Sequence, residues 1–151
     1  DMAFADPVVP GPVRQMYQGL LGWEFPVWTV VPEQALAWKV HGLFEFWDTQ
    51  KGRWRMKDLY DICLLMRACE MDSVVFRAAL KVAFEDRVTP FRVYQKVLDG
   101  NFGQSRGSRQ NWARFVADYP ANVEAESHLD LLAEARKLLD PVFRELMDGE
   151  T

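Results

Sequence analysis

The sequence predicts an α+β fold that is predominantly α-helical, with short strands confined to its N-terminal end. Three observations predict it. Apolar residues recur at three- and four-residue spacing from Leu36 to Leu146, in segments divided by capping residues, glycine or proline. β-Branched and aromatic residues gather in Phe25–Val31, and a short alternation opens the chain at Asp1–Asp6. The hydrophobic fraction of 49% and aromatic fraction of 13% belong to a folded chain, and 151 residues suffice for one core.

In order, residues 1–5 read as a strand, and a loop with Pro7, Pro10 and Pro12 then breaks regular structure. Residues 13–21 read as a short helix and Phe25–Val31 as a strand. Pro32 at a first helical position, with Glu33 in the first turn, starts a helix whose stripe is Leu36, Val40, Leu43, Phe44 and Trp47. Residues 48–54 form a polar connection. The next helix runs from about Arg55 to Met71, with Leu59, Ile62, Cys63, Met66 and Cys69 along one side. Asp72-Ser73 caps a third helix to about Asp86, with Val75 or Phe76, Ala79, Leu80, Ala83 and Phe84 facing inward. Thr89-Pro90 opens a shorter helix to Leu98, closed by Gly100. After a loop over 101–108 come a helix around Arg109–Asp118 and a last one from Glu126 to Met147, which Pro141 is expected to kink. The chain thus divides into a strand-and-loop segment, 1–31, and a helical domain, 32–151. An opening strand without a partner, and no initiator methionine, suggest a chain cut from something longer.

The net charge of −4, from 18 basic and 22 acidic residues, excludes a general polyanion binder. The charge is uneven: Lys51, Arg53, Arg55 and Lys57 fall close together, as do Arg106, Arg109 and Arg114, while the last third is acidic. Such patches suit a phosphate-bearing ligand held at one site, although a solvated face is their commoner cause. Cys63 and Cys69, nearly on opposite sides of one helix, read as buried thiols of a cytoplasmic protein. No apolar run or leader points to a membrane or to secretion. Neither His41 nor His128 follows an arginine by five to seven positions, which excludes helical ribonucleases built on that spacing. His41 reads as lining the seam of a helix pair and His128 as a surface residue.

The segment Arg55-Met56-Lys57-Asp58-Leu59-Tyr60-Asp61 places Asp58 three residues, and Lys57 four residues, before Asp61, so their side chains share a neighbourhood on a helix. A helix start favours acids through its dipole, which alone would account for both aspartates. Lys39 lies off the apolar stripe of the preceding helix; it either snorkels to solvent or enters a site. Antiparallel helices with a short link bring it beside the aspartates. A lysine beside carboxylates with arginines nearby can grip a nucleoside triphosphate, or hold a metal–phosphate group. A plain interhelical salt bridge gives the same spacing.

The pair of segments Glu33-Gln34-Ala35-Leu36-Ala37-Trp38-Lys39-Val40-His41-Gly42-Leu43 and Arg55 to Ile62 resembles the paired motifs of AbiEii/AbiGii-type nucleotidyltransferase toxins. Asp1–Pro12, Glu85–Pro90, Trp112 with Phe115, and the Leu138–Val142 segment extend the resemblance over nearly the whole chain. It implies the helical C-terminal half of a nucleotidyltransferase-like protein, with 1–31 as a remnant of its sheet. It implies Asp58 and Asp61 as active-site acids, and Lys39 and Lys57 as cations at the nucleotide; the basic segment itself adds Arg53 and Arg55 as candidate substrate-binding residues facing RNA. It also implies Asp1 as a further carboxylate toward a Mg2+ site of the full-length parent. The expected reaction is transfer of a nucleotide from a nucleoside triphosphate (NTP) to an RNA end, tRNA above all, with an antitoxin as a protein partner. The chain departs from the pattern in having no Asp-x-Asp pair and in carrying Trp38 where the family usually has glutamate. The competing class is a non-catalytic helical module that binds a protein such as an antitoxin.

Overall fold

Helix α1, Pro32–Glu45, starts at a proline whose fixed φ suits a first helical turn. Its Leu36, Ala37, Val40, Leu43 and Phe44 are all buried. The computed structural model describes residues 6–45, 55–118 and 127–149. The strand expected at residues 1–5 and the connection at 48–54 lie outside them.

Before α1, strands β1, Val13–Gln18, and β2, Glu24–Thr29, pair antiparallel with Val13 opposite Thr29 and Tyr17 opposite Phe25. The helix expected over 13–21 is therefore a strand and a hairpin turn. Gly19 and Gly22 close that turn, Gly22 at a φ of 81° that favours glycine. Pairing with β2 overrides a weak local helical pattern, and Leu20 and Leu21, which the pattern would have buried, stand exposed at the tip.

α1 packs against both α2, Met56–Ala68, and α3, Ser73–Asp86, while α2 also meets α5, Arg106–Asp118, and α6, His128–Asp148. Two buried polar side chains of α1 fix its neighbours. Glu33 accepts from the Asp72 amide at 2.9 Å and Gln34 from the Val9 amide at 2.7 Å. Asp72 caps α3 as its sequence predicts, accepting from the amides of Val74 and Val75. A 3-10 turn over Phe91–Tyr94 leads into the short α4, Gln95–Leu98. Ser127 and Asp130 form a capping box at the start of α6, which continues as one helix through Pro141.

The core joins these helices around a cluster of aromatic rings, Phe44, Phe84, Phe91, Tyr94 and Phe143. Cys63 is buried and donates to the Leu131 carbonyl, but Cys69 is only half-buried at the end of α2, not a second core thiol. His128 is likewise buried, its Nε2 lying 2.9 Å from the Gly103 carbonyl oxygen, where the sequence suggested a surface residue. No helix among the described residues is long and apolar enough to cross a membrane. The fold is α+β and predominantly helical.

Candidate functional site

Residues near the end of α1 meet residues near the start of α2, so the two helices run antiparallel at the expected pair of motifs. Lys39 Nζ lies 3.2 Å from Asp58 Oδ1 and 2.8 Å from Asp61 Oδ2. Lys57 reaches the same Asp61 oxygen at 2.6 Å, and an Arg55 guanidinium nitrogen stands 3.9 Å from Asp58 Oδ2. Two acids are thus met by three cations. The carboxylates are the more enclosed partners: the side chains of Asp58 and Asp61 are 7% and 21% exposed, against 35% for Lys39. Removal from water makes each acid depend on its cation.

Protonation follows from the same contacts. Burial pulls the Lys39 pKa down, but hydrogen bonds and charge from Asp61 and Asp58 outweigh it and leave it raised. Burial pushes the Asp61 carboxyl up, yet Lys39 and Lys57 outweigh it and hold it below the usual range. Lys39 and Asp61 are therefore both charged at neutral pH.

Among the described residues, Asp58 Oδ2 is buried without a hydrogen-bond partner. Beside it lies Gly42 of α1, where an added Cβ would stand 3.0 Å from that oxygen. Glycine here leaves room for the carboxylate. Alanine would add about 1 kcal/mol of intrinsic helix propensity, so Gly42→Ala would stabilise α1 if space were the only matter. We expect instead a melting temperature no higher than the parent's, because the methyl displaces the Asp58 carboxylate from Lys39. Thermal unfolding followed by circular dichroism checks this, and a rise of several degrees would show that Asp58 gives way freely.

These side chains open onto a cleft of about 460 Å³. One wall comes from α1 and the start of α2, with Lys39, Arg55, Lys57 and Asp58; the opposite wall is α5, with Asn111, Arg114, Phe115 and Asp118. Of the second basic cluster only Arg114 reaches this cleft. Arg106 and Arg109 are exposed, and Arg109 donates to the Gln104 carbonyl. Arg53 and Asp1 lie outside the described residues. His41 does not serve the seam of α1 and α2: it is buried against α3 and the turn that follows, 2.9 Å from Thr89 Oγ1 and edge-on to Phe84. The α5 wall was not legible as a site, since Phe115 reads as core and Asn111 carries no signal by itself.

A divalent cation fits the described residues poorly. No group of three or more His, Cys, Asp or Glu side chains converges among them, whereas a Mg2+ site takes near-octahedral oxygen ligands. Asp58 and Asp61 are two carboxylates, each already bonded to Lys39.

No curated protein and no solved structure matches this chain. The family model described as nucleotidyl transferase AbiEii toxin, type IV TA (toxin–antitoxin) system, matches residues 1–147. Its match takes in both the Lys39 helix and the Asp58/Asp61 helix whose side chains meet at the cleft: the chain belongs to the AbiEii nucleotidyl transferase toxin family.

Proposed function

We propose that this chain grips the phosphates of a nucleoside triphosphate for a toxin that transfers a nucleotide to the end of a cytoplasmic RNA, with tRNA as the expected acceptor. The observation that carries the reading is Lys39, held by two carboxylates at the edge of a cleft. An ammonium has three donors, and the two carboxylates take two of them, leaving one for a phosphate oxygen. Asp58 and Asp61, as the active-site acids, keep that ammonium charged and aimed. Arg55 and Lys57 add positive charge on the same side, and Arg53 is the further cation of this segment in sequence. Residues 1–31 act in this reading as the strand-and-loop part of the nucleotidyltransferase sheet.

Mg2+ would neutralise the phosphates and activate the attacking hydroxyl in such a transfer. Asp58 and Asp61 do not form its cage, and the grip described here works through the cations of the chain. With no Asp-x-Asp pair in the 151 residues, we expect the chain by itself to bind triphosphate without labelling RNA. Incubation with labelled triphosphates, purified tRNA and Mg2+ tests this. Absence of triphosphate binding overturns the proposal, and RNA labelling abolished by Asp61→Ala would move the metal carboxylates to the residues named here. Phosphate contacts make RNA binding salt-sensitive, so Arg53→Ala with Arg55→Ala should flatten the log–log salt dependence by about one unit per lost contact.

One observation favours a second reading, a protein-binding module for an antitoxin. The β1–β2 hairpin exposes Met16, Leu20, Leu21, Trp23 and Trp28, more apolar surface than a small strand pair ordinarily leaves in water. Antitoxin binding that is lost with Leu21→Ser and Trp23→Ser, in a chain that binds no nucleotide, would decide for this reading.

A further inference from the structure

We infer that the α5 wall of the cleft reads the nucleobase of the bound triphosphate, Asn111 by hydrogen bonds to the base edge and Phe115 by contact with the base ring. The inference rests on the phosphate grip proposed above and adds what that grip lacks, since cations hold any triphosphate alike.

The α5 wall has a different chemistry from the wall it faces. Asn111, Arg114 and Phe115 stand at i, i+3 and i+4 on the helix and line the same cleft. Asn111 offers a phosphate only a neutral donor and the Phe115 ring offers it none, so the two add little to a grip made of cations. They suit a flat heteroaromatic group with donors and acceptors along its edge. An asparagine amide offers both a donor and an acceptor, and base edges present paired donors and acceptors to match.

Phe115 is also held in place. Its ring centroid is 5.4 Å from that of Trp112, which is buried beneath it, and 5.8 Å from that of Tyr60 on α2. A ring fixed on two sides and half-buried toward a cleft gives a stacking surface that loses little freedom on binding. The charges set the direction in which a nucleotide lies. The α1–α2 wall carries three cations beside Asp58, and the α5 wall carries one charge of each sign, Arg114 and Asp118; the net positive charge draws phosphates to the α2 side, which leaves the base toward α5. A volume of about 460 Å³ falls within the range of roughly 300–1,000 Å³ usual for sites of such ligands.

The test compares inorganic tripolyphosphate with each of the four ribonucleoside triphosphates, by titration calorimetry on the 151-residue chain and on Asn111→Ala and Phe115→Leu. At least one triphosphate is expected to bind about five- to tenfold more tightly than tripolyphosphate, the gain of one stacked base. Both variants should bring that ratio toward one. Asn111→Ala removes no packed ring, so it decides the matter if Phe115→Leu melts early. A ratio of one in the parent, or a ratio that neither variant changes, overturns the base-reading wall and leaves the phosphate grip standing. If tripolyphosphate and all four triphosphates fail to bind, the phosphate grip is wrong and the inference falls with it.

Discussion

Phe143→Ala is expected to cost about 3–5 kcal/mol of folding free energy, the range for deleting a fully buried aromatic ring. Phe143 has no solvent exposure and lies parallel to Tyr94 with centroids 4.0 Å apart. Phe84 and Phe44 meet it edge-on at 5.5 and 6.1 Å, so one ring ties α6 to α1, α3 and the 3-10 turn. Tyr94 cannot swing into the space left behind without breaking its hydroxyl's bond to Asp140, at 2.6 Å. Burial, then Asp140 as acceptor, pushes that phenol far above its ordinary pKa, so it stays a donor throughout the neutral range. The cavity therefore remains largely open. Against a total stability of about 5–15 kcal/mol for a typical domain, such a loss would take a fifth or more. Urea denaturation at unchanged m-value measures it. A loss below about 1 kcal/mol would mean that the cluster closes up and that these rings do not act as one unit.

Periodicity made most of this core legible. Of the α3 stripe, Ala79, Leu80, Ala83 and Phe84 are buried, and Phe76 rather than its alternative Val75 completes it, because an amphipathic helix with a good cap is specified locally. Phe143 stands four residues after Leu139 on α6, and both are buried. What failed depends on partners distant in sequence. Val13–Gln18 becomes a strand because Glu24–Thr29 lies beside it, and no pattern inside residues 13–21 states that. His128 is buried because the loop at Gly103, 25 residues away, offers a carbonyl. The candidate site divides along the same line. Lys39, Asp58 and Asp61 belong to consecutive helices that can hardly avoid each other, so their meeting was foreseeable. Asn111 and Phe115 come to the cleft only through the packing of α5 on α2, a long-range outcome.

Replacing the lysine at the centre of the site should have the largest functional effect. Lys39→Met is expected to weaken triphosphate binding at least tenfold, about 1.4 kcal/mol, and to cost about 1–3 kcal/mol of stability at neutral pH. Methionine keeps an unbranched apolar stem against α2, so the change isolates the charge. Stripping the cation from a fully buried pair costs about 3–5 kcal/mol. The smaller figure applies because Lys39 is 35% exposed and Lys57 still partners Asp61. Asp61, its pKa depressed in the fold, contributes stability that is present above the ordinary carboxylate pKa of about 3.9 and is lost as pH falls through the depressed value. Lys39, its pKa raised, contributes stability that is full below about 10.4 and is lost as pH rises through its folded value. The gap in melting temperature between parent and variant should therefore be widest around neutral pH, begin to narrow below about pH 4, and go on narrowing as Asp61 takes up its proton and no longer needs a cation. Asp61→Asn in the Lys39→Met background should recover part of the loss, because it removes one of the two acids left facing each other. A gap as wide at pH 3.5 as at pH 7 would assign Lys39 to packing. Full retention of triphosphate affinity by Lys39→Met would leave the cluster as an interhelical salt bridge with no part in the site.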